Sequence, residues 1–396
     1  MSAYVLSWLS LLARWTHLIA GISWIGASFY FVWLDNHLTP PSDPRDAERG
    51  VAGELWAVHG GGFYHNQKFP TGPAGEPLSR DLHWFKWEAY TTFLSGIAML
   101  AIVYWADAQS LLIDRSVLDI APPLAIAVSI ATLALGWLVY DAICRVFASR
   151  PTLLWSAIGA YVVVVTYALF HVFAPRAAAL HAGAMLGTIM VANVFFIIIP
   201  GQQRVVAQLR AGEIPDPRLG ELGKMRSVHN TYFTLPVLFA MISAHYPMVY
   251  AGPWGWLVLL AIGAAGVLVR RFFVLSHRGR IVVALPAVAA AVLAAVAVAI
   301  APRPQPAAAP VAFAQVAPIV AQRCAVCHAA SPTQAGVTSP PMGVQLDTPE
   351  RIAANAQRIE AQAVRSHAMP LGNVTGMTDA ERATLGAWIA AGAHLQ

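Results

Sequence analysis

For its first 300 residues the chain alternates long apolar runs with short polar connections, and after that it takes on the mixed pattern of a water-soluble protein. A helix needs about 20 mostly apolar residues to cross a hydrocarbon core of about 30 Å. Eight stretches meet that standard: Ser7 to Leu34, Glu88 to Trp105, Pro122 to Asp141, Leu153 to Phe173, Leu180 to Pro200, Tyr232 to Tyr250, Trp254 to Arg270 and Ile281 to Ile300. They predict an all-α, polytopic transmembrane bundle of eight spans over residues 1–300. The Ala- and Pro-rich segment 301–312 predicts an extended, semi-rigid linker, because its prolines cannot continue a helix. From 313 to 396 apolar positions recur at helical spacing. Thr378-Asp379-Ala380-Glu381 has the pattern of a capping box that opens a last helix. A small α-helical domain in water is therefore expected at the end.

Composition sharpens this picture. With 57% hydrophobic and 11% charged residues, most of the chain must face lipid, so the bilayer is its first partner. The formal charge of +5 sits in short loops and forms no stripe that could follow a phosphate backbone, which excludes nucleic acid as a partner. If Met1 is outside, sixteen Lys and Arg fall in the four inner loops and only Arg115 and Arg176 in the outer ones. The positive-inside rule then puts both ends in the periplasm of a bacterial inner membrane. Nothing basic precedes the first apolar stretch, so it reads as a retained span and not as a signal peptide.

Three cysteines do not make a disulfide framework. Cys144 reads as a buried small hydrophobe, whereas Cys324-Ala325-Val326-Cys327-His328 is a c-type haem attachment pattern: two thiols bond the porphyrin and the adjacent histidine ligates iron. Zinc would need a second ligand pair that this part of the chain lacks. The motif resembles that of class I cytochromes c, and the resemblance covers residues 313–396. A methionine thioether as sixth ligand would raise the potential of such a haem. Met342, Met369 and Met377 are candidates; Met369, followed by Pro370 in a loop before the last helix, matches the cytochromes best. Trp388 is expected to pack the haem crevice, and His367 and His394 to lie at the surface.

Ionisable groups within a span are costly and are functional candidates for that reason. His17, His171, His181 and His245 all fall in the outer leaflet. Such a layer could hold a b-type haem between two imidazoles, with His17 and His245 as its ligands, or each could simply be satisfied by a hydroxyl or carbonyl. On the inner side lie the loop His59-Gly60-Gly61-Gly62-Phe63-Tyr64, the stretch Leu82 to Tyr90, and His229-Asn230-Thr231-Tyr232-Phe233 at the start of the sixth span. Glycines there would let backbone approach a ligand. The tryptophans suit an interfacial belt. Lys86, Glu88, His229 and Asn230 are the candidate catalytic residues, since charge and amide beside apolar helix demand a partner.

Arg14-Trp15-Thr16-His17-Leu18-Ile19-Ala20-Gly21-Ile22-Ser23-Trp24-Ile25-Gly26, the Gly-Gly-Gly-Phe-Tyr loop, Leu82 to Tyr90 and His229 to Pro247 together resemble the membrane-bound bacterial urate oxidase (urate hydroxylase) family. Members of that family join an eight-span domain to a C-terminal cytochrome c. The resemblance implies oxidation of urate toward 5-hydroxyisourate in purine catabolism. Electrons would pass through the covalent haem c to a soluble cytochrome c or a terminal oxidase. The first helix is also similar to that of membrane protoporphyrinogen oxidases, which bind haem. Two other classes share many of these features: an oxidoreductase for a quinol or another hydrophobic donor, and a non-catalytic permease or electron-transfer anchor, for which inverted repeats would argue. No such repeat is visible in the sequence.

Overall fold

The computed structural model describes residues 3–73, 76–301 and 311–396. Most of the linker expected at 301–312 lies outside the described residues. Eight helices build the first part: α1 (Ala3–His37), α2 (Trp87–Met99, prolonged by a π turn over Leu100–Trp105), α3 (Pro122–Phe147), α4 (Pro151–Phe170), α5 (Pro175–Ala192), α6 (Pro217–Ser243), α7 (Gly255–Ser276) and α8 (Ala284–Ala299). A π turn over Asn193–Ile198 carries α5 onward into a helical extension, Ile199–Arg210. Proline occupies the first turn of α3, α4, α5 and α6, where its missing N–H costs nothing.

Among the described residues five helices are long and apolar enough to cross a membrane, against the eight expected: α1, α3, α4, α5 with its extension, and α7. The chain is thus predominantly α-helical, with the multiple apolar helices of a multi-pass membrane protein. The other three expected spans fall short for separate reasons. The regular part of α2 has 13 residues before its π turn, and α8 has 16. The α6 helix has 27 residues but begins with Arg218, Glu221, Lys224 and Arg226, so its first half is polar and its apolar half is short.

The centre of the bundle is α5. Its Ala177, Ala178, Ala179 and Ala182 are buried against Ala125 and Leu133 of α3, Leu169 of α4, Ala240 of α6, and Tyr250. Helices in lipid gain no hydrophobic drive from meeting each other, so small residues that permit close backbone approach decide where they pack. Farther along α5, Met185, Leu186, Ile189 and Met190 pack with Tyr140 and Cys144 of α3, Leu154 and Ile158 of α4, and Phe233 of α6. By contrast α1 is largely exposed and packs chiefly on α2.

Between α1 and α2 stands an antiparallel hairpin, β1 (Gly53–His59) and β2 (Gly62–Lys68), with His59 opposite Gly62. Gly60 and Gly61 have φ of 60° and 80°, which the tight two-residue turn of a hairpin requires and most other residues resist. The glycine-rich loop is therefore a turn, and its glycines serve the strand pairing; no Cβ-sized space beside Gly60 or Gly61 is lined by other parts of the chain.

Residues 311–396 form a helical tail with its own apolar core. The core joins Val316 and Val320 of α9 (Phe313–Arg323), Ile352 of α10 (Pro349–Ala354), Leu346, Ile359, Met377, and Leu385 and Trp388 of α11 (Asp379–Ala390). Trp388 is 1% exposed and donates its indole N–H to the His394 carbonyl at 2.8 Å. The expected capping box is present: the Thr378 hydroxyl accepts from the Glu381 N–H, and the Glu381 carboxylate accepts from the Thr378 N–H.

Candidate functional site

A buried polar cluster lies where α3, α5 and α6 meet. On α6, Arg226, His229 and Asn230 stand at the three- and four-residue spacing that places side chains on one helix face. On α3, Tyr140 and Asp141 face them, with Cys144 one turn later. The third side supplies Asn193, the first residue of the π turn after α5, a bulge that re-aims a side chain which a regular helix would direct elsewhere.

The contacts run in a chain. The Tyr140 hydroxyl lies 2.7 Å from His229 Nδ1, and the Asn193 amide donates to the Tyr140 oxygen at 3.1 Å and to Asn230 Oδ1 at 3.0 Å. Asn230 donates in turn to the Met190 carbonyl at 3.0 Å. Arg226 donates to Asp141 Oδ1 at 2.5 Å, Arg145 donates to Asp141 Oδ2 at 2.6 Å, and the Arg226 guanidinium lies 5.0 Å over the Tyr140 ring. The Trp155 ring meets the His229 ring edge-on at 4.6 Å.

Several atoms in this cluster have no partner. Arg226 is 2% exposed, yet its Nε and Nη1 are unbonded, as is the side-chain oxygen of the fully buried Asn193. An unpaired buried N–H costs about 1–3 kcal/mol, and more when it belongs to a cation. The cluster therefore presents two cationic donors and one amide acceptor, beside an imidazole whose Nε2 is uncommitted. This is the donor and acceptor pattern that a small planar anion with both N–H and C=O groups would satisfy. A second half-satisfied arginine, Arg270 of α7, stacks 4.1 Å over Phe29 with Nε and Nη2 unbonded.

Of the four candidate catalytic residues, the structure brings His229 and Asn230 together and leaves Lys86 and Glu88 elsewhere. The Lys86 ammonium lies 5.7 Å over the neighbouring Trp87 ring, and Glu88 sits in the first turn of α2, where a carboxylate favours the helix dipole. Among the described residues no hydrogen bond or ion pair joins either to the cluster. Sequence reasoning missed Arg226, Tyr140, Asp141 and Asn193. Arg226 had been counted among inner-loop charges, although it precedes His229 by three positions. Asn193 interrupts an apolar run, and that amide was the available signal.

The outer-leaflet histidines have separate surroundings. His17 Nδ1 bonds the Thr92 carbonyl at 2.9 Å and Ser95 Oγ at 3.2 Å, leaving Nε2 free. His181 is fully buried and spends both nitrogens, on Ser129 Oγ and the Ala177 carbonyl, each at 2.7 Å. His171 and His245 are exposed and line a cleft of about 460 Å³ between the bundle and the tail, together with Arg176 and, from the tail, His367 and Met369.

In the tail, Cys324 closes α9, and the backbone N–H groups of Cys327 and His328 both return to the Cys324 carbonyl, at 3.1 and 2.9 Å. That turn gathers two free thiols and an imidazole. His328 Nδ1 lies 3.0 Å from the Val344 carbonyl, which fixes the ring and leaves Nε2 available to iron. Burial pushes the Cys324 thiol up to about 11 and raises that of Cys327 as well. Met342 is 97% exposed, Met377 is buried in the core, and Met369 is half-buried at the cleft. The two thiols and the imidazole fit the attachment side of a c-type haem. Among the described residues no three His, Cys, Asp or Glu side chains converge as a metal cluster.

Among known proteins, the family described as urate oxidase N-terminal matches residues 3–301. The match spans the bundle and its buried cluster and ends before the tail. No curated protein and no solved structure matches the chain.

Proposed function

The chain belongs to the urate oxidase N-terminal family, and on that footing we propose that it is a membrane-bound urate oxidase that passes electrons to a haem c on its own tail. The observation that carries the reading is the buried Arg226 guanidinium, with two unpartnered N–H groups beside His229. Urate is a planar anion, and Arg226 offers it a buried positive charge and two N–H donors that its own chain leaves unbonded. The Asn193 oxygen takes a purine N–H. Asn230 positions Asn193, and Asp141 positions Arg226.

The half-reaction is urate plus water giving 5-hydroxyisourate, two protons and two electrons. His229 takes the first proton at Nε2, with its Nδ1–H donated to the Tyr140 oxygen; a histidine base positioned in this way contributes about 10²–10⁴-fold. Arg226 stabilises negative charge as it develops on the purine, from a buried position where its charge is weakly screened. A quinol carries no anionic charge and would leave the Arg226 donors unanswered, so the cluster favours urate over a hydrophobic donor.

Cys324, Cys327, His328 and Met369 would hold the haem, and the group would supply one-electron acceptance. A soluble cytochrome c or a terminal oxidase takes the electrons onward. In this reading the bundle lies in a bacterial inner membrane and the tail in the periplasm. His17, with its Nε2 free, and His245 at the cleft would be the ligands of a b-type haem in the membrane half. Pyridine haemochrome spectra with c-type bands alone would remove that second group.

Rapid mixing of the oxidised full chain with urate, without oxygen, tests the whole. The haem c absorbance should shift to the reduced form, with two haems reduced per urate. Reduction by ascorbate but not by urate would refute the reading.

A further inference from the structure

The tail touches the bundle at one unusually close point. Gly372 has φ of 57°, and a Cβ placed on it would stand 2.6 Å from the Ser110 carbonyl oxygen and 2.7 Å from that of Ile113. Those distances are well inside contact, so only glycine lets the two backbones meet. Both sides of the contact are held firmly. On the bundle side, Leu112 and Ile113 are fully buried, and the Leu112 carbonyl accepts the Ala174 N–H at 3.0 Å, which ties this turn to the start of α5.

On the tail side, the loop from Met369 to Met377 is pinned at both ends. The Met369 carbonyl accepts from Arg382 Nη1 at 2.7 Å. Asn373 donates its amide to the Met377 carbonyl at 3.2 Å, and its oxygen accepts the Met377 N–H at 2.9 Å. Met369 lies three residues before Gly372, on the wall of the cleft that the bundle and tail share.

Resting on the function proposed above, we infer that the Met369 loop is the electron-accepting face of the tail, docked on the Ser110–Ile113 turn of the bundle through Gly372. Tunnelling falls steeply with distance, and a backbone-to-backbone contact three residues from Met369 is a direct connection between the two halves. Each urate oxidised would deliver its two electrons singly across this contact, the haem iron going from ferric to ferrous each time and being reoxidised by the external acceptor. The tail takes up electrons while docked, without swinging on its linker.

Two full-chain variants test the inference. Gly372→Leu fills the contact, whereas Gly376→Leu imposes the same left-handed strain, at φ of 63°, with nothing within 4 Å. Gly372→Leu should slow urate-driven haem reduction by clearly more than Gly376→Leu does. Its reduction by ascorbate should be unchanged. The amides of Leu112 and Ile113 should exchange hydrogen faster than in the unsubstituted chain. Gly376→Leu should stay within about 3-fold on the same scale. Ser110→Trp, which leaves the tail sequence intact, should reproduce the slow reduction even if Gly372→Leu fails to hold haem.

Equal rates in the two glycine variants, with unchanged exchange at Leu112 and Ile113, would overturn the inference. If urate fails to reduce the unsubstituted chain, the proposed function falls. The exchange comparison would then still decide the docking.

Discussion

Arg226 in the bundle and Arg382 in the tail are both almost wholly buried, as is Arg270 of α7, and the first two are treated in different ways. Arg382 in the tail donates to the carbonyls of Ala363 and Met369 and leaves no buried nitrogen unpaired. Arg226 in the bundle spends one nitrogen on Asp141 and leaves two without partners. A buried cation whose enclosed nitrogens are all satisfied holds structure together. One that is answered by half keeps capacity for something that arrives later, and the chain bears that cost only where binding recovers it.

Substitution should separate the two roles. Arg226→Lys keeps the charge and removes the two-pronged donor, so urate-dependent kcat/KM should fall by about 10²–10³-fold. The haem spectrum and the melting of the tail should not move. His229→Gln, which retains hydrogen bonding but cannot take a proton at neutral pH, should lower kcat by about 100-fold. Its KM should change little, and stopped-flow traces of haem reduction would show the difference.

Arg382→Met should do the reverse: it removes two charged hydrogen bonds to carbonyls and should destabilise the tail by about 2–3 kcal/mol. Denaturant unfolding of the full chain, followed at Trp388, would measure that loss, while KM for urate stays as it was. The smallest effect concerns acid. Burial works against the Glu381 carboxylate, but the Thr378 N–H and Arg323 outweigh it and hold the group below its ordinary value. A carboxyl depressed in the folded state contributes stability at neutral pH that disappears as pH falls through the folded value. Glu381→Gln should therefore flatten the acid limb of the tail's stability curve and leave the neutral range nearly unchanged.

The same contrast explains what could be read from the sequence. The two thiols, His328, Met369 and the Thr378–Glu381 cap are local signals, each written in a few adjacent residues, and the structure places Cys324, Cys327 and His328 on one turn and realises the cap. The bundle site draws on three helices that are distant in sequence. His229 and Asn230 were legible because a polar pair opens an apolar run; Arg226 looked like an ordinary inner-loop charge. Asn193 required a π turn that no spacing rule announces. Lys86 and Glu88 carried the same compositional signal as His229, yet α2 directs them to Trp87 and to its own first turn. The glycines at 60 and 61 carried two meanings, ligand approach and hairpin turn, and the two-residue spacing between strands decided for the turn. The number of spans was the least legible feature, because α6 hides a polar first half and α2 changes pitch before it is long enough.

The measurement closest to the central claim is equilibrium binding of urate to the full chain with its haem already reduced, so that no turnover occurs. Calorimetric titration should find one urate bound per chain, with affinity unchanged in Arg382→Met and weakened by about 100-fold in Arg226→Lys. Equal affinity in Arg226→Lys and the unsubstituted chain would contradict the assignment of the half-satisfied guanidinium to the substrate.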